Sequence, residues 1–214
     1  MGVDLGQLVP HKETELKELA GKTIAIDAYN TLYQFVSIIR QPDGTPLKDS
    51  RGRITSHLAG LLYRTANLVE ARIRPVFVFD GPPHPLKRET LVERGARKEK
   101  AEKEYKEALA EGDIERARTK ATQTSRLTPE MVDQAKALVS ALGLTYVDAP
   151  GEGEAQAVRL VELGRADVVG SQDYDALLFG APRLVRNLTV TGRRKLPRKQ
   201  VWVDVIPEAI RLDA

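Results

Sequence analysis

The chain has 214 residues, enough for one domain of ordinary size or slightly more, and 42% of them are hydrophobic, which favours a folded core over disorder. No apolar stretch approaches the ~20 residues that a membrane helix needs, and the N-terminus does not resemble a secretory signal, so no membrane partner is expected. The absence of cysteine excludes disulfides and thiolate metal sites, and a cytoplasmic location is the default expectation.

The basic residues are unevenly distributed along the chain. The net charge is only +3 at pH 7, yet residues 183–199 contain seven basic residues and no acidic one. Such a segment suits a polyanionic partner such as a nucleic acid. A solvated surface rich in lysine and arginine would give the same pattern, so charge alone leaves both interpretations open.

The N-terminal third alternates between strand-like and helix-like patterns. Apolar runs predict strands at 24–27 and 76–80, and each run ends in an aspartate. Between these strands the sequence predicts an amphipathic run at 32–39, a loop rich in Pro, Gly and Asp at 41–53, and a helix at 56–72.

A long, highly charged stretch follows. Residues 86–110 predict a helix with few apolar side chains, Glu111-Gly112-Asp113 interrupts it, and 114–121 resumes the helical pattern. Residues 87–126 contain twelve basic and nine acidic residues, with apolar side chains too sparse for a core face. We interpret the stretch as an arch or lid, partly mobile without ligand; a mixed-charge surface helix is the alternative.

The last third returns to strand–helix alternation. Thr128-Pro129 predicts the start of a helix that ends at Gly143. The remaining predicted elements are a strand at 144–147, a helix at 151–162, strands at 168–170, 183–186 and 201–205, and the beginning of a helix from 210. The alternation predicts an α/β fold with a mainly parallel central sheet and helices on both faces.

Six carboxylates fall in four clusters near the predicted strand ends. The clusters are Asp27, Asp80, Glu152 with Glu154, and Asp173 with Asp175. Because ligands bind at the carboxyl ends of strands in open α/β sheets, these side chains should converge. Close-set carboxylates cannot all stay ionised without cation charge between them, so the pattern predicts a site for hard divalent cations and phosphate chemistry.

Each carboxylate also has a simpler interpretation. An aspartate that ends a strand is often only a helix N-cap, and glutamates in a first helical turn are favoured by the helix dipole. Glu152 and Glu154 could share one site only if the glycine-flanked turn at 151–153 is not yet helical. The match between four clusters makes the metal interpretation the stronger one.

Basic and aromatic side chains supply further candidates. Lys87 and Arg94 are seven residues apart and therefore lie on one face of the charged helix, where they could stabilise charge in a transition state. Tyr33 could stack on a base, although a core tyrosine is equally plausible. The three histidines (His11, His57 and His84) are interpreted as structural or surface residues.

Several segments carry a family resemblance across the whole chain. They are 1–5, 26–28, 54–58, 63–65, 78–81, 149–157 and 171–180, which include Val-Phe-Asp-Gly, Pro-Gly-Glu-Gly-Glu-Ala and Gln-Asp-Tyr-Asp. Together they resemble the flap endonuclease family of structure-specific 5′-nucleases, in its archaeal form. The resemblance implies a PIN-like 5′-nuclease core with a helical arch over the active site.

The resemblance also implies roles for individual residues. The six carboxylates would hold two Mg²⁺ ions, for which Mn²⁺ can substitute. Lys87 and Arg94 would contact the scissile phosphate, and residues from about 87 to 126 would form the arch around a single-stranded 5′ flap. DNA-binding roles would fall to Gly2 (near the metals), Tyr33 (on the base beside the cut), and Arg40 and Arg64 (on the duplex).

The family pattern divides the chain into an N-terminal nuclease region (1–98), the rest of the arch (99–126) and an intermediate region (127–214), within one compact catalytic domain. Gly151 stands where the family usually has serine. The family's seventh acidic ligand, its helix–two-turn–helix segment and its clamp-binding tail are expected beyond residue 214. A sliding clamp is a partner expected of the full-length family, and the expected location is cytoplasmic, near the nucleoid.

The sequence therefore predicts the core of a flap endonuclease and 5′–3′ exonuclease of DNA replication and repair. It would hydrolyse branched DNA that carries a 5′ flap by a two-metal mechanism. Two alternatives remain open: a DNA-junction binder without catalytic activity, and a PIN-like ribonuclease.

Overall fold

A computed structural model describes residues 5–6, 8–189, 193–195 and 202–211. The helices are α1 (Ala28–Ile38), α2 (Ser56–Glu70), α3 (Arg88–Ala110), α4 (Ile114–Gln123), α5 (Pro129–Ala141), α6 (Gly153–Glu162) and α7 (Asp175–Leu178). The strands are β1 (His11–Glu13), β2 (Thr23–Asp27), β3 (Arg74–Phe79), β4 (Thr145–Asp148), β5 (Val168–Gly170), β6 (Arg183–Arg186), β7 (Arg193–Lys195), β8 (Trp202–Asp204) and β9 (Glu208–Arg211).

The central sheet has the order β1-β9-β6-β5-β2-β3-β4. β2 to β6 pair in parallel with their neighbours, whereas β9 is antiparallel to both β6 and β1. A mainly parallel sheet flanked by helices confirms the predicted fold class. β7 and β8 form a separate antiparallel pair, so the strand predicted at 201–205 lies outside the central sheet.

The predicted helix start at residue 210 is wrong. Residues 208–211 form β9, which is hydrogen-bonded on both sides, and Ile210 is only 1% exposed. Pairing therefore overrides the local pattern, because β6 offers main-chain partners to residues 208–211 and β1 to residues 208–210.

The chain forms two compact units. The first unit comprises residues 1–31, 64–81 and 144–214, and the second comprises 32–63 and 82–143. The sequence-based division at residues 98 and 126 follows family regions rather than these units, and it stays a prediction.

The core of the first unit lies along the central strands. Ile24 and Ile26 of β2 and Phe77 and Phe79 of β3 are at most 2% exposed, as expected for parallel strands covered on both faces. The ring of Phe79 makes edge contacts with Tyr29 and Tyr146. This packing fixes the ends of β2 and β3, from which two of the candidate carboxylates project.

The second unit contains the highly charged helices. α3 and α4 pack against each other, and the buried ones among their described side chains are alanines: Ala101, Ala108, Ala117 and Ala121, each at most 4% exposed. Apolar side chains are sparse in this stretch, so the sequence predicted no core face. Small side chains suffice, however, where two helices approach closely. The outer surface carries i,i+4 ion pairs such as Arg97–Glu93 and Lys106–Glu102. The role of this hairpin as an arch stays a prediction.

His57 has a structural position in the second unit. Its side chain is fully buried, and its Nε2 lies 3.0 Å from Oε1 of Gln134 on α5. Burial lowers the pKa of His57 and so favours the neutral form of the ring.

Among the described residues, no helix combines the length and the apolar character that crossing a membrane requires.

The contact between α1 and α2 depends on a glycine. A Cβ atom at Gly60 would lie 2.3 Å from Cγ of Phe35 and 2.7 Å from Cδ1 of Ile39. We therefore expect Gly60→Ala to lower the free energy of unfolding by about 1–3 kcal/mol through overpacking. Gly95 on α3 is the matched control, because a Cβ there would meet no described atom within 4 Å. Gly95→Ala should stabilise the chain by about 0.5–1 kcal/mol, measured by denaturant unfolding.

Candidate functional site

The first unit contains all six candidate carboxylates. Asp27 is the last residue of β2, and Asp80 directly follows β3, its parallel neighbour. Glu152 and Glu154 lie at the start of α6, Asp173 lies in the turn between β5 and α7, and Asp175 is the first residue of α7. The parallel order of β3, β2 and β5 brings the carboxyl ends of these strands to one edge of the sheet, while a shared site for all six carboxylates stays a prediction.

Asp27 is a buried helix cap. It is only 5% exposed, and its Oδ1 accepts a hydrogen bond of 3.0 Å from the backbone N–H of Asn30 in the first turn of α1. The side-chain amide of Asn30 also donates to Oδ2 of Asp173, at 3.0 Å. Asn30 therefore links the carboxylate that ends β2 to the one that follows β5.

Asp80 is held by the start of α6. Its Oδ1 accepts a hydrogen bond of 2.7 Å from the N–H of Gly153, and a Cβ at Gly153 would lie 2.5 Å from that same oxygen. The neighbouring Gly81 donates to the carbonyl of Gly151 at 2.7 Å. A Cβ at Gly81 would lie 2.3 Å from the carbonyl oxygen of Ala149, so glycine is required at 81 and 153 by close approach.

The turn at 149–153 bears on two expectations from the sequence: the placement of Glu152 and Glu154, and the glycine at position 151. Glu152 is the N-cap residue of α6 with an extended backbone, and the helix begins at Gly153, so the two glutamates are not both on a regular helix. A Cβ at Gly151 would meet no described atom within 4 Å. The serine that the family usually has there would therefore fit without a shift of the backbone.

Asp173 and Asp175 flank a short turn. The N–H of Asp173 donates to Oγ of Ser171 at 3.2 Å, and Asp175 is the first residue of α7. Tyr174 between them is buried, at 7% exposure, while both aspartates are partly exposed. The turn is therefore anchored by its tyrosine and presents a carboxylate on either side of it.

The carboxylates repel one another. The pKa of Asp27 is raised to about 7, chiefly by burial and then by the charges of Asp80 and Asp173, while the amide of Asn30 lowers it. The pKa of Glu154 is raised to about 8, chiefly by burial and then by four carboxylates: Asp27, Asp175, Asp173 and Asp80. Glu154 is thus within electrostatic reach of four of the other five candidates.

Electrostatic proximity is not the same as ligating geometry. Within the described part of the chain, no group of three or more histidine, aspartate or glutamate side chains is arranged to hold a metal ion. Instead, one oxygen of Asp27 and one of Asp80 accept hydrogen bonds from backbone amides in the first turns of α1 and α6. The metal-ligand roles therefore stay a prediction.

The other candidates lie in different places. Lys87 ends a short 3-10 helix and Arg94 lies on α3; both are exposed residues of the second unit. Tyr33 is 37% exposed in the same unit, with the ammonium of Lys98 4.9 Å from its ring centre. Arg64, on α2, is partly buried, which lowers its pKa, and Gly2 lies outside the described residues.

Arg40 has a structural role that the sequence did not indicate. Its guanidinium donates to the carbonyls of Ser37 and Gly44 at 3.1 and 2.8 Å and to Oγ of Ser125 at 2.8 Å. These bonds fasten the loop after α1 to the end of α4 within the second unit. Its predicted contact with DNA remains a prediction.

The sequence-based prediction did not include Asn30 as a partner of Asp27 and Asp173, or Gly153 as a partner of Asp80. Asn30 could have been found, because it stands three residues after Asp27, where a strand-ending aspartate caps the following helix. The pairing of Gly153 with Asp80 could not, because it joins residues 73 positions apart through the fold.

The repulsion predicts a stabilising substitution. Because the pKa of Glu154 is raised in the folded chain, stability is fully present below its ordinary value near 4.5 and is lost as the pH rises toward 8. Above that pH, Glu154→Gln should stabilise the metal-free chain by at least about 1 kcal/mol, roughly 2–4 °C in Tm.

The measurement is thermal unfolding in EDTA across the pH range. At pH about 5 the two proteins should differ little, because Glu154 is then protonated in the folded chain. Glu70→Gln, at an exposed position in the same unit, is the control and should change Tm little at either pH. An equal or lower Tm for Glu154→Gln at high pH would contradict the repulsion.

Known proteins match this chain in sequence over its whole length. The XPG N-terminal domain matches residues 1–101, and the XPG I-region matches residues 143–212. The flap endonuclease 1 of Archaeoglobus fulgidus is 56% identical over 214 residues, and that of Pyrococcus furiosus is 55% identical over 213. Each match covers 100% of this chain and 63% of the relative, so the chain spans less than two thirds of their length.

Solved structures give the same assignment. The flap endonuclease-1 from Methanococcus jannaschii matches with a TM-score of 0.72 and 46% identity, over 99% of this chain and 64% of that one. The catalytic core of Rad2 in complex with DNA substrate matches with a TM-score of 0.63 and 28% identity, over 94% and 51% of the two chains. The chain therefore belongs to the XPG family, as a relative of the archaeal flap endonucleases.

Proposed function

We propose that the chain is the catalytic core of a structure-specific 5′-flap endonuclease of DNA replication and repair. The observation that carries the proposal is the placement of Glu154 within electrostatic reach of Asp27, Asp80, Asp173 and Asp175, near the carboxyl ends of parallel strands. Relatives that are more than half identical to the chain are named flap endonuclease 1. The substrate would be branched DNA with a 5′ flap, cut near the junction of single strand and duplex.

The donor set fits a hard divalent cation. It consists only of oxygen ligands, it carries a large negative charge, and its burial and repulsion favour any cation that neutralises it. Mg²⁺, or Mn²⁺ in its place, would be held as two ions, one chiefly by Asp27, Asp80, Glu152 and Glu154, the other by Asp173 and Asp175. Such ions activate a water molecule and stabilise the leaving oxygen of a phosphodiester.

The chain's own residues prepare this site. The amides of Asn30 and Gly153 fix one oxygen each of Asp27 and Asp80 and so orient both carboxylates. The side-chain amide of Asn30 orients Asp173 in the same way. Carboxylates oriented beforehand lose less freedom when they bind a cation, which is how partners of metal ligands raise affinity.

The exposed cations of the second unit suit the phosphate backbone. Lys87 and Arg94 lie two helical turns apart at the start of α3, both at the surface. We assign them contacts with the scissile phosphate, Tyr33 a stacking contact with a base, and Arg40 and Arg64 contacts with duplex DNA. Gly2 near the metals, and a sliding clamp as partner of the full-length protein, complete the proposal.

The decisive test is cleavage of a labelled 5′-flap duplex with Mg²⁺ and with EDTA. Cleavage should require the metal, and Asp173→Asn should lower the rate at least about 100-fold, because metal placement carries most of the transition-state stabilisation. Asp133→Asn, at an exposed position on α5, is the control and should cut as the wild type does.

Other outcomes separate the alternatives. Salt-sensitive binding of the flap duplex without cleavage would replace the proposal with a non-catalytic junction binder. Preferential cleavage of single-stranded RNA would replace it with a ribonuclease.

The basic pair predicts a split between rate and affinity. Arg94→Ala should lower the single-turnover rate about 10²-fold or more, since it removes a group that stabilises transition-state charge. The dissociation constant for flap DNA should rise only a few-fold, because one phosphate contact among many is lost. Lys103→Ala, at an exposed position further along α3, is the control. Equal losses in rate and affinity would show that Arg94 only binds DNA.

A further inference from the structure

The turn between Asp173 and Asp175 is held by an arginine that the mechanism above does not use. Arg186, the last residue of β6, donates from Nε to the carbonyl of Gln172 at 2.9 Å and from Nη1 to the hydroxyl of Tyr174. Its guanidinium carbon also lies 4.0 Å from the centre of the Tyr174 ring. Arg186 therefore holds the residue before Asp173 and the residue between the two aspartates.

A carboxylate on β9 holds Arg186 in turn. Glu208 stands opposite Arg186 in the β6–β9 register, and its Oε2 accepts from Nη1 at 3.1 Å. The two side chains are 20% and 22% exposed, so the pair is shielded more than a surface ion pair. The opposite charges of Arg186 and Glu208 neutralise each other. The ion pair also fixes the orientation of the Arg186 side chain.

The next residue adds a second link to the same segment. Asn187 has a left-handed backbone with φ of 58°, and its Nδ2 donates to the carbonyl of Ile206 at 3.0 Å. Asparagine tolerates this conformation better than most residues. The end of β6 is thus fastened to residues 206–208 by two side chains.

We propose that Arg186 is a positioning residue for the metal ligands Asp173 and Asp175, with Glu208 holding it in place. The inference rests on the proposed function, and it adds Arg186 of β6 and Glu208 of β9 to the residues that shape the site. Metal ligands must be held within about 0.5 Å of their productive geometry, which a short, partly exposed turn does not achieve by itself. The planar guanidinium of Arg186 forms hydrogen bonds with the turn at two points and stacks on the ring of Tyr174, and these contacts supply the missing rigidity.

The chemistry requires arginine rather than any cation. The contacts use Nε and Nη1 in one plane together with a stacked guanidinium face, and the single ammonium of lysine cannot make all of them at once. A plain cross-strand ion pair with Glu208 would tolerate lysine. The conservative variant therefore distinguishes positioning from simple charge pairing.

The test measures Mn²⁺ binding without DNA, by electron paramagnetic resonance, together with Tm and flap cleavage. Arg186→Gln and Arg186→Lys should both weaken Mn²⁺ binding about tenfold, the loss typical when a partner of a metal ligand is removed. Glu208→Gln should weaken it less, because Arg186 keeps its contacts with the turn. Arg159→Gln removes an ion pair on α6 of the same unit and should leave Mn²⁺ binding unchanged.

Other outcomes would overturn the proposal. Wild-type Mn²⁺ affinity in Arg186→Lys, or a lower Tm with unchanged affinity in both Arg186 variants, would reduce the contact to a structural ion pair. If Arg186→Gln does not fold, Arg186→Lys and Glu208→Gln decide the question. A wild-type chain without measurable Mn²⁺ binding would also overturn it.

The proposed function can fail separately. A wild type that binds Mn²⁺ but cuts no flap would refute the nuclease and still leave the positioning of the turn decided by the titration. A wild type that cuts, with Arg186 variants that bind Mn²⁺ normally, would refute the positioning alone.

Discussion

The structure of the first unit depends on holding like charges together in a poorly solvated place. Burial and mutual repulsion both oppose ionisation of Asp27 and Glu154, which raises their pKa values. The fold offsets part of this cost with dipoles already present at helix starts: the amides of Asn30 and Gly153 face Asp27 and Asp80. The helix-cap interpretation and the ligand interpretation of these aspartates are therefore compatible, because capping one oxygen orients the other.

Close backbone approach is the second requirement of the same region. The amide of Gly153 reaches Asp80 because the turn at 149–153 lies directly against residues 80–81, and a Cβ at Gly81 or Gly153 would collide with backbone or carboxylate atoms. By contrast, Gly151 faces open space among the described residues, which fits the serine usual at that position in the family. Glycine is thus required by geometry at some positions of the motif and is incidental at another.

Much of the fold and part of the site could be predicted from sequence, for physical reasons. Apolar runs define parallel strands, and parallel strands bring their carboxyl ends together, so the positions of Asp27, Asp80 and Asp173 followed from periodicity alone. β9 could not be predicted, because pairing with β6 and β1 decides its conformation. The alanine contact of α3 with α4, and the bonds of Arg40 and Arg186, depend on residues brought together only by folding.

The distribution of these contacts along the chain explains why such a site needs the whole first unit. Its carboxylates come from residues 27 to 175, yet the turn that carries the last two is fastened through Arg186 to Glu208, near the end of the described chain. β9 lies between β1 and β6, so the strand that carries Glu208 also joins the edge strand β1 to the parallel part of the sheet. β6 and β9, which carry none of the six carboxylates, are thereby linked through Arg186 and Glu208 to the turn that carries Asp173 and Asp175. Repulsion that destabilises the cluster is tolerated because strands and helices distant in sequence hold it in place, as expected where function and stability oppose each other.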